Sequence, residues 1–315
     1  RAGIRRRPPT WQGENASACV GERSERRFDM EQNFDRIRRL SADIRIETTK
    51  AIGAAGFGHI GGAASIADVL AVLYGGMMRI DPKNPDWPER DWMVLSKGHC
   101  GPALYATLAL VGYFPVDWLQ TVNQPGTRLP SHADCRKTPG IDMTTGSLGQ
   151  GISSAAGIAL GNRLQGRDSW TYCIVGDGET NEGEVWEACE AANHLALDHF
   201  IVFVDWNKKQ LDGRLEDICK PMDLEAKFRA FGFDAVTVKG YDVEAIWNAV
   251  EAAKSVQGKP HCIVLDTIKG LGVPLAEEKE FNHYLTFGPE EARRSCEEIE
   301  KRFQNGTYPG GDFKW

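Results

Sequence analysis

The apolar positions of this chain change period several times, and each change predicts an element. From Glu31 to about Ala55, Phe34, Ile37, Leu40, Ile44 and Ile46 recur at near-helical spacing. The glycine-rich "GAAGFGHIGGAAS" ends that helix, and Ser65 stands where it can cap the next, "IADVLAVLYGGMM". "DWMVL" reads as a short strand, followed by "SKGHCG" and the apolar helix "PALYATLALVGYF". A polar loop, "LPSHADCRKTPGIDMTTGSLGQG", leads into a helix over 152–164 whose small residues predict close packing.

In the second half strand and helix alternate. "TYCIV", "FIVFV", "FDAVTV" and "HCIVLDT" are short β-branched runs, and helical patterns over 182–195, at "AKFRAFG" and at "DVEAIWNAVEAAK" separate them. Such an order predicts a three-layer α/β/α fold, one doubly wound domain whose mostly parallel central sheet is covered on both faces. Pro289 with Glu290 and Glu291 opens a last helix. The domain is expected over residues 30–305, between an Arg/Pro-rich mobile leader at 1–29 and a polar tail at 306–315.

Composition narrows the class. Hydrophobic residues make up 42% of the 315, enough for a sizeable core, and the net charge of -7 argues against nucleic acid as a partner. No apolar run reaches the roughly 20 residues that span a bilayer, so no membrane partner is expected. The eight cysteines are scattered without a Cys-x-x-Cys pair, which predicts reduced thiols in a cytoplasmic protein, neither a disulfide framework nor a zinc site.

The candidate chemistry starts at "IVGDGETNEGEVWEA". Asp177 falls at the carboxyl end of a predicted strand, where ligands of open parallel sheets sit. Gly176 and Gly178 let the backbone approach a bulky polar ligand, and a helix N-terminus follows that favours an anion such as diphosphate. Asn207 stands 30 residues on, past the end of the next strand. If the two strands are neighbours, both side-chain oxygens can converge on a hard cation, and magnesium completes its octahedron with phosphate and water. Gly-Asp-Gly alone reads as a turn. It is the pairing with Asn207 that points to a metal-tethered diphosphate.

On these residues the chain resembles the thiamine-diphosphate enzymes, whose metal motif is Gly-Asp-Gly with an asparagine some thirty residues later. "GHIGGAASIADVL", "LSKGHCGPALYATLALVGY", "TTGSLGQGIS" and "GDGETNEGEVWEA…DWNKKQLDG" together are similar, in order, to the amino-terminal half of transketolase. The resemblance implies thiamine diphosphate and a Mg2+ (or Ca2+) ion held by Asp177, Asn207 and the main-chain carbonyl of Lys209. It implies that Gly178 N–H and Asn207 meet the diphosphate, and that Gly146, Ser147 and Leu148 contact the aminopyrimidine. His59 and His99 would face the thiazolium and diphosphate, while His132 would bond the donor hydroxyl at the reacting carbon. His283, after a loop that departs from longer members, would join the catalytic and cofactor-binding set. Ile60 and Ser147 stand where proline is common in the family. His194, His199 and His261 read as packing or surface residues.

Transketolases of full length are about twice this size, and the second half carries the activating glutamate. The resemblance therefore implies a split enzyme: a separate C-terminal subunit, an α2β2 assembly, sugar phosphate substrates, and Glu182 and Glu187 in a proton network between paired sites. Two other readings stay open. One is the α subunit of another split enzyme, such as a 2-oxo-acid dehydrogenase or a synthase joining pyruvate to a triose phosphate. The other is a non-catalytic cofactor-holding partner.

Overall fold

The computed structural model describes residues 33–309, so the predicted leader and the last six residues lie outside the described residues. Five strands form one parallel sheet: β1 (Trp92–Leu95), β2 (Thr171–Gly176), β3 (Phe200–Trp206), β4 (Asp234–Lys239) and β5 (His261–Asp266). Their spatial order is β1-β2-β3-β5-β4. All four pairings are parallel, as strands joined through covering helices must be.

Side-chain alternation along these strands builds two cores. Tyr172, Ile174, Ile201, Phe203, Ile263 and Leu265 face one layer, made by helices Phe34–Ala55, Ala67–Val72, Gly101–Leu110 and Val243–Lys254. Cys173, Val175, Val202, Val204, Cys262 and Val264 face the other, made by Gln150–Leu164, Gly183–His194 and Leu224–Ala230. The central strands are therefore apolar on both sides, which is why they read as continuous hydrophobic runs.

The first helix begins where Asn33 Oδ1 accepts the Arg36 N–H at 3.0 Å, and ends at Gly56 in the left-handed region (φ 87°). Several local expectations are corrected. The glycine-rich stretch ends the first helix as expected but also holds an element that was not expected, the short buried helix Ile60–Ala64. Ser65 does not cap the next helix, which starts from Ile66; it closes Ile60–Ala64 through its N–H on the Gly61 carbonyl, and its hydroxyl donates to Asp205 at 2.7 Å. Residues Ile60–Met77 form an 18-residue helical stretch of mean hydropathy 1.5, long and apolar enough by composition to cross a membrane. It is 94% buried inside the fold, and this burial accounts for its composition. Within the segment read as a polar tail, Tyr308 is packed inside, its hydroxyl bonded to Ser41 at 2.6 Å and to the buried Arg45.

Arg45 anchors more than Tyr308. It pairs with Asp68 at 2.6 Å and donates from Nε to the Leu271 carbonyl at 2.8 Å. The loop after β5 is thereby fastened to the first helix. Two small antiparallel pairs, Phe57–Gly58 with Leu285–Thr286 and Lys209–Gln210 with Gly213–Arg214, frame the carboxyl end of the sheet. Among the described residues the seven cysteines are all free.

Candidate active site

The tips of β2 and β3 are neighbours, with Gly176 paired to Asp205. That register brings Asp177 and Asn207 to one place. Asp177 is buried in a sharp turn, where its Oδ1 accepts the Gly178 N–H at 2.8 Å and its Oδ2 accepts the Lys208 N–H at 2.7 Å. Burial, and then the nearby Asp205 carboxylate, push its pKa up to about 7. A second carboxylate beside a buried one is a costly arrangement unless positive charge is supplied.

Two lysines supply part of it, and an amide completes the arrangement. Lys97, almost fully buried, donates to Asp205 at 2.5 Å and to the Gly62 carbonyl at 2.9 Å. Burial opposes its charge, but Asp205 outweighs that and raises the pKa overall. Lys269 donates to the Lys209 carbonyl at 2.9 Å, and burial brings its pKa down to about 8. Asn207 turns its Nδ2 onto Asp205 at 2.7 Å, which points its Oδ1 the other way, where it accepts from the Lys209 N–H at 3.2 Å. Asp205 Oδ2 thus orders Ser65, Lys97 and Asn207 at once.

Glu179 does similar work on the backbone. Its Oε1 accepts from the Ser96 hydroxyl and the Gly149 N–H, and its Oε2 from the Gly176 N–H at 2.9 Å. The tip of β1, the 146–149 loop and the tip of β2 are tied through this one side chain. Close contact fixes the same loops: a Cβ on Gly98 would lie 2.5 Å from the Thr145 carbonyl oxygen.

These elements enclose a cavity of about 470 Å³, within the range of cofactor pockets. His59, His99, His132 and His283 stand around it, their rings 4.9–5.9 Å apart between centroids for the pairs in contact. Burial first, then His132 and Lys269, lower the His59 pKa to about 4. Burial and the Lys269 ammonium bring His283 to about 3. Burial, with Lys97 next, lowers His99 further still, and burial lowers His132. All four rings are therefore neutral near pH 7, each offering one donor and one acceptor nitrogen.

Of the residues singled out in the sequence, His59, His99, His132, His283, Gly146, Leu148, Asp177, Gly178, Asn207, Lys209 and Glu182 line this cavity. Ser147 and Glu187 are exposed and do not line it. The Gly178 N–H, expected on a diphosphate, is here turned onto Asp177. Sequence reasoning missed four residues: Lys97, Asp205, Glu179 and Lys269. "SKGH" and "VDWN" did carry signals for two of them, since a charged residue inside an apolar strand-end motif has to be paired.

A metal fits this donor set. A carboxylate, an amide oxygen and a main-chain carbonyl are hard oxygen ligands, suited to Mg2+ or Ca2+, with further positions left for phosphate and water. The Lys269 ammonium on the Lys209 carbonyl marks that oxygen as one that takes positive charge. Among the described residues no group of three or more His, Cys, Asp or Glu could hold a metal by itself.

Residues 37–302 match the family described as "Transketolase, thiamine diphosphate binding domain". The chain is 49% identical over 278 residues to a 6-deoxy-6-sulfo-D-fructose transketolase subunit of a Clostridium species (strain MSTE9), covering 88% of this chain and 98% of that protein. It is 36% identical to an apulose-4-phosphate transketolase subunit of Actinobacillus succinogenes, covering 82% of this chain and 94% of the other. Among solved structures, transketolase from Campylobacter jejuni superposes with a TM-score of 0.77 at 30% identity, covering 88% of this chain and 44% of that one. Transketolase from Leishmania mexicana gives 0.76 at 29% identity, covering 85% and 46%. The chain spans less than half the length of these solved enzymes. It belongs to the transketolase family, where it corresponds to the amino-terminal, thiamine-diphosphate-binding part.

Proposed function

We propose that this chain is the cofactor- and metal-holding subunit of a split transketolase, which moves a two-carbon ketol unit from a ketose to an aldose. One observation carries the reading: Asp177, Asn207 and the Lys209 carbonyl share one cavity with four neutral imidazoles. Thiamine diphosphate, when bound, supplies the electron sink that lets a carbon–carbon bond beside a carbonyl break. The chain holds, orients and moves protons. Asp177, Asn207 Oδ1 and the Lys209 carbonyl would hold Mg2+ (or Ca2+) and through it the diphosphate. Lys97 and Lys269 give the site a fixed positive field for anionic groups. His59, His99, His132 and His283 line the same cavity as neutral rings, each able to donate one hydrogen bond to a substrate hydroxyl and to accept one.

A second, pyrimidine-binding chain carrying the activating glutamate completes the site in this reading, as an α2β2 assembly in the cytoplasm, with Glu182 and Glu187 toward the paired site. Its support is length: the two relatives named as subunits are matched nearly end to end, whereas the single-chain enzymes are matched over less than half. For the donor we take a ketose with an anionic terminal group. The higher identity to the sulfo-fructose enzyme favours a sulfonate over a phosphate.

Co-expression with a candidate partner, followed by ketol-transfer assays on 6-deoxy-6-sulfo-D-fructose and on ketose phosphates, tests the reading. Transfer is expected only from the two-chain complex, with Asp177→Ala losing magnesium-dependent cofactor uptake. Ketol transfer by the single chain would refute the split arrangement. Undiminished uptake by the alanine variant would refute the site, and cofactor binding without turnover on any ketose would favour a non-catalytic partner.

A further inference from the structure

A larger space lies on the other side of the metal-binding turn, at the carboxyl ends of β3, β5 and β4. It measures about 1180 Å³. Lys208, Lys209, Arg214, Lys220 and Lys239 line it against only two acids, Glu216 and Asp266, among the described residues. An excess of three positive charges in one cavity is out of keeping with a chain of net charge -7. The remaining walls are apolar or aromatic, with Trp206, Tyr241, Tyr308, Met222 and Ile268. Met222 is 71% exposed and Tyr241 39%, so aromatic and apolar surface stands open beside the cations.

Lys208 and Lys239 both bond Asp266, at 2.5 and 2.6 Å, so two ammonium groups share one carboxylate. An incoming anion can take one of them without leaving Asp266 bare. Lys208 also joins the two cavities. Its side chain lies over the Trp206 ring, 3.4 Å from the centroid, while its main-chain N–H holds Asp177 Oδ2. Its backbone is in the left-handed region at φ 70°, unusual for a lysine and the kind of strain found at ligand-responsive turns.

We propose that this cavity binds a nucleoside phosphate, its phosphates on Lys220, Lys239 and Lys208 and its base against Tyr241, and that binding there is coupled through Lys208 to cation uptake at Asp177. Carboxyl ends of parallel strands are where such ligands bind, and a cavity with both cations and aromatic faces suits phosphate and base together. The ligand of this cavity is argued independently of the reaction assigned above, whereas the coupling rests on the cation site proposed at Asp177.

The test is calorimetric titration of ADP, and separately of inorganic phosphate, into the chain with its copurified partner, at saturating thiamine diphosphate and Mg2+. Saturation keeps ADP out of the diphosphate site. ADP is expected to bind saturably and tighter than phosphate. The double variant Lys220→Glu/Lys239→Glu is expected to weaken ADP at least tenfold while leaving thiamine diphosphate affinity unchanged, which also reports an intact fold. Tyr241→Ala should weaken ADP and spare phosphate. Coupling is reciprocal, so in a separate titration of Mg2+ from sub-saturating levels, corrected for Mg2+ chelated by ADP, ADP must shift the Mg2+ affinity by the factor by which Mg2+ shifts ADP. No saturable ADP binding to the loaded protein, or binding untouched by the charge reversals, overturns the site. ADP binding with no shift in Mg2+ affinity overturns the coupling.

Discussion

Asp205→Asn removes the charge that organises the centre without changing side-chain volume. In the native chain Asp205 is fully buried and accepts from Lys97, Ser65 and Asn207 on one oxygen. Lys97 is itself almost fully buried, so the variant leaves an ammonium in the interior without its partner. Breaking one side of such a pair costs about 3–5 kcal/mol. One effect works the other way. Asp205 repels Asp177, and its neutralisation relieves that carboxylate, so the lower end, about 3 kcal/mol, is expected. Removing both charges in Asp205→Asn/Lys97→Met should recover much of the loss, because no uncompensated charge remains. Urea unfolding of the four proteins, followed by circular dichroism at pH 7, gives the cycle. Single-variant losses that simply add in the double variant would refute the claim that Lys97 and Asp205 stabilise the chain as a pair.

Further expectations follow from the same geometry. Gly98→Ala places a methyl against the Thr145 carbonyl at 2.5 Å, so it should cost roughly 1–3 kcal/mol and weaken cofactor uptake by moving the 146–148 loop; unchanged thermal stability would count against that contact. Burial holds the folded pKa of His59 near 4 and His283 near 3, below the ordinary histidine value of 6.5. Their contribution to stability is therefore full above pH 6.5 and is lost as pH falls, through 4 for His59 and on toward 3 for His283. In unfolding scans across that window the His59→Asn/His283→Asn variant should show a flatter pH dependence than the native chain, and an equal slope would contradict the burial argument. Phe228, fully buried beneath Trp186 and Phe233, should cost about 3–5 kcal/mol on replacement by alanine without altering the His cavity. A loss below about 1 kcal/mol would mean that this face of the sheet is loosely packed.

The strands were legible because a parallel sheet covered on both faces needs short apolar, β-branched runs, and "TYCIV", "FIVFV" and "HCIVLDT" have no other stable use. Asp177 and Asn207 were legible too, as polar residues placed just where such runs stop. Ser65 was misread because hydroxyls cap helices in isolation, whereas here a buried carboxylate 140 positions away accepts its hydrogen bond. Tyr308 looked like tail because nothing local shows that Arg45 is waiting for its hydroxyl. The short helix Ile60–Ala64 was hidden by glycines, whose weak helix propensity is overridden by burial on every side.

What the sequence determined by itself was the class of fold, the strand ends and the polar residues, Asp177 and Asn207, that stand at them, since periodicity and motif are local properties. Which charges share which oxygen was decided only by tertiary structure. Lys97, Asp205, Glu179 and Lys269 acquire their roles from strand order and loop contact, because a buried charge is defined by its neighbours in space and these are distant in the chain.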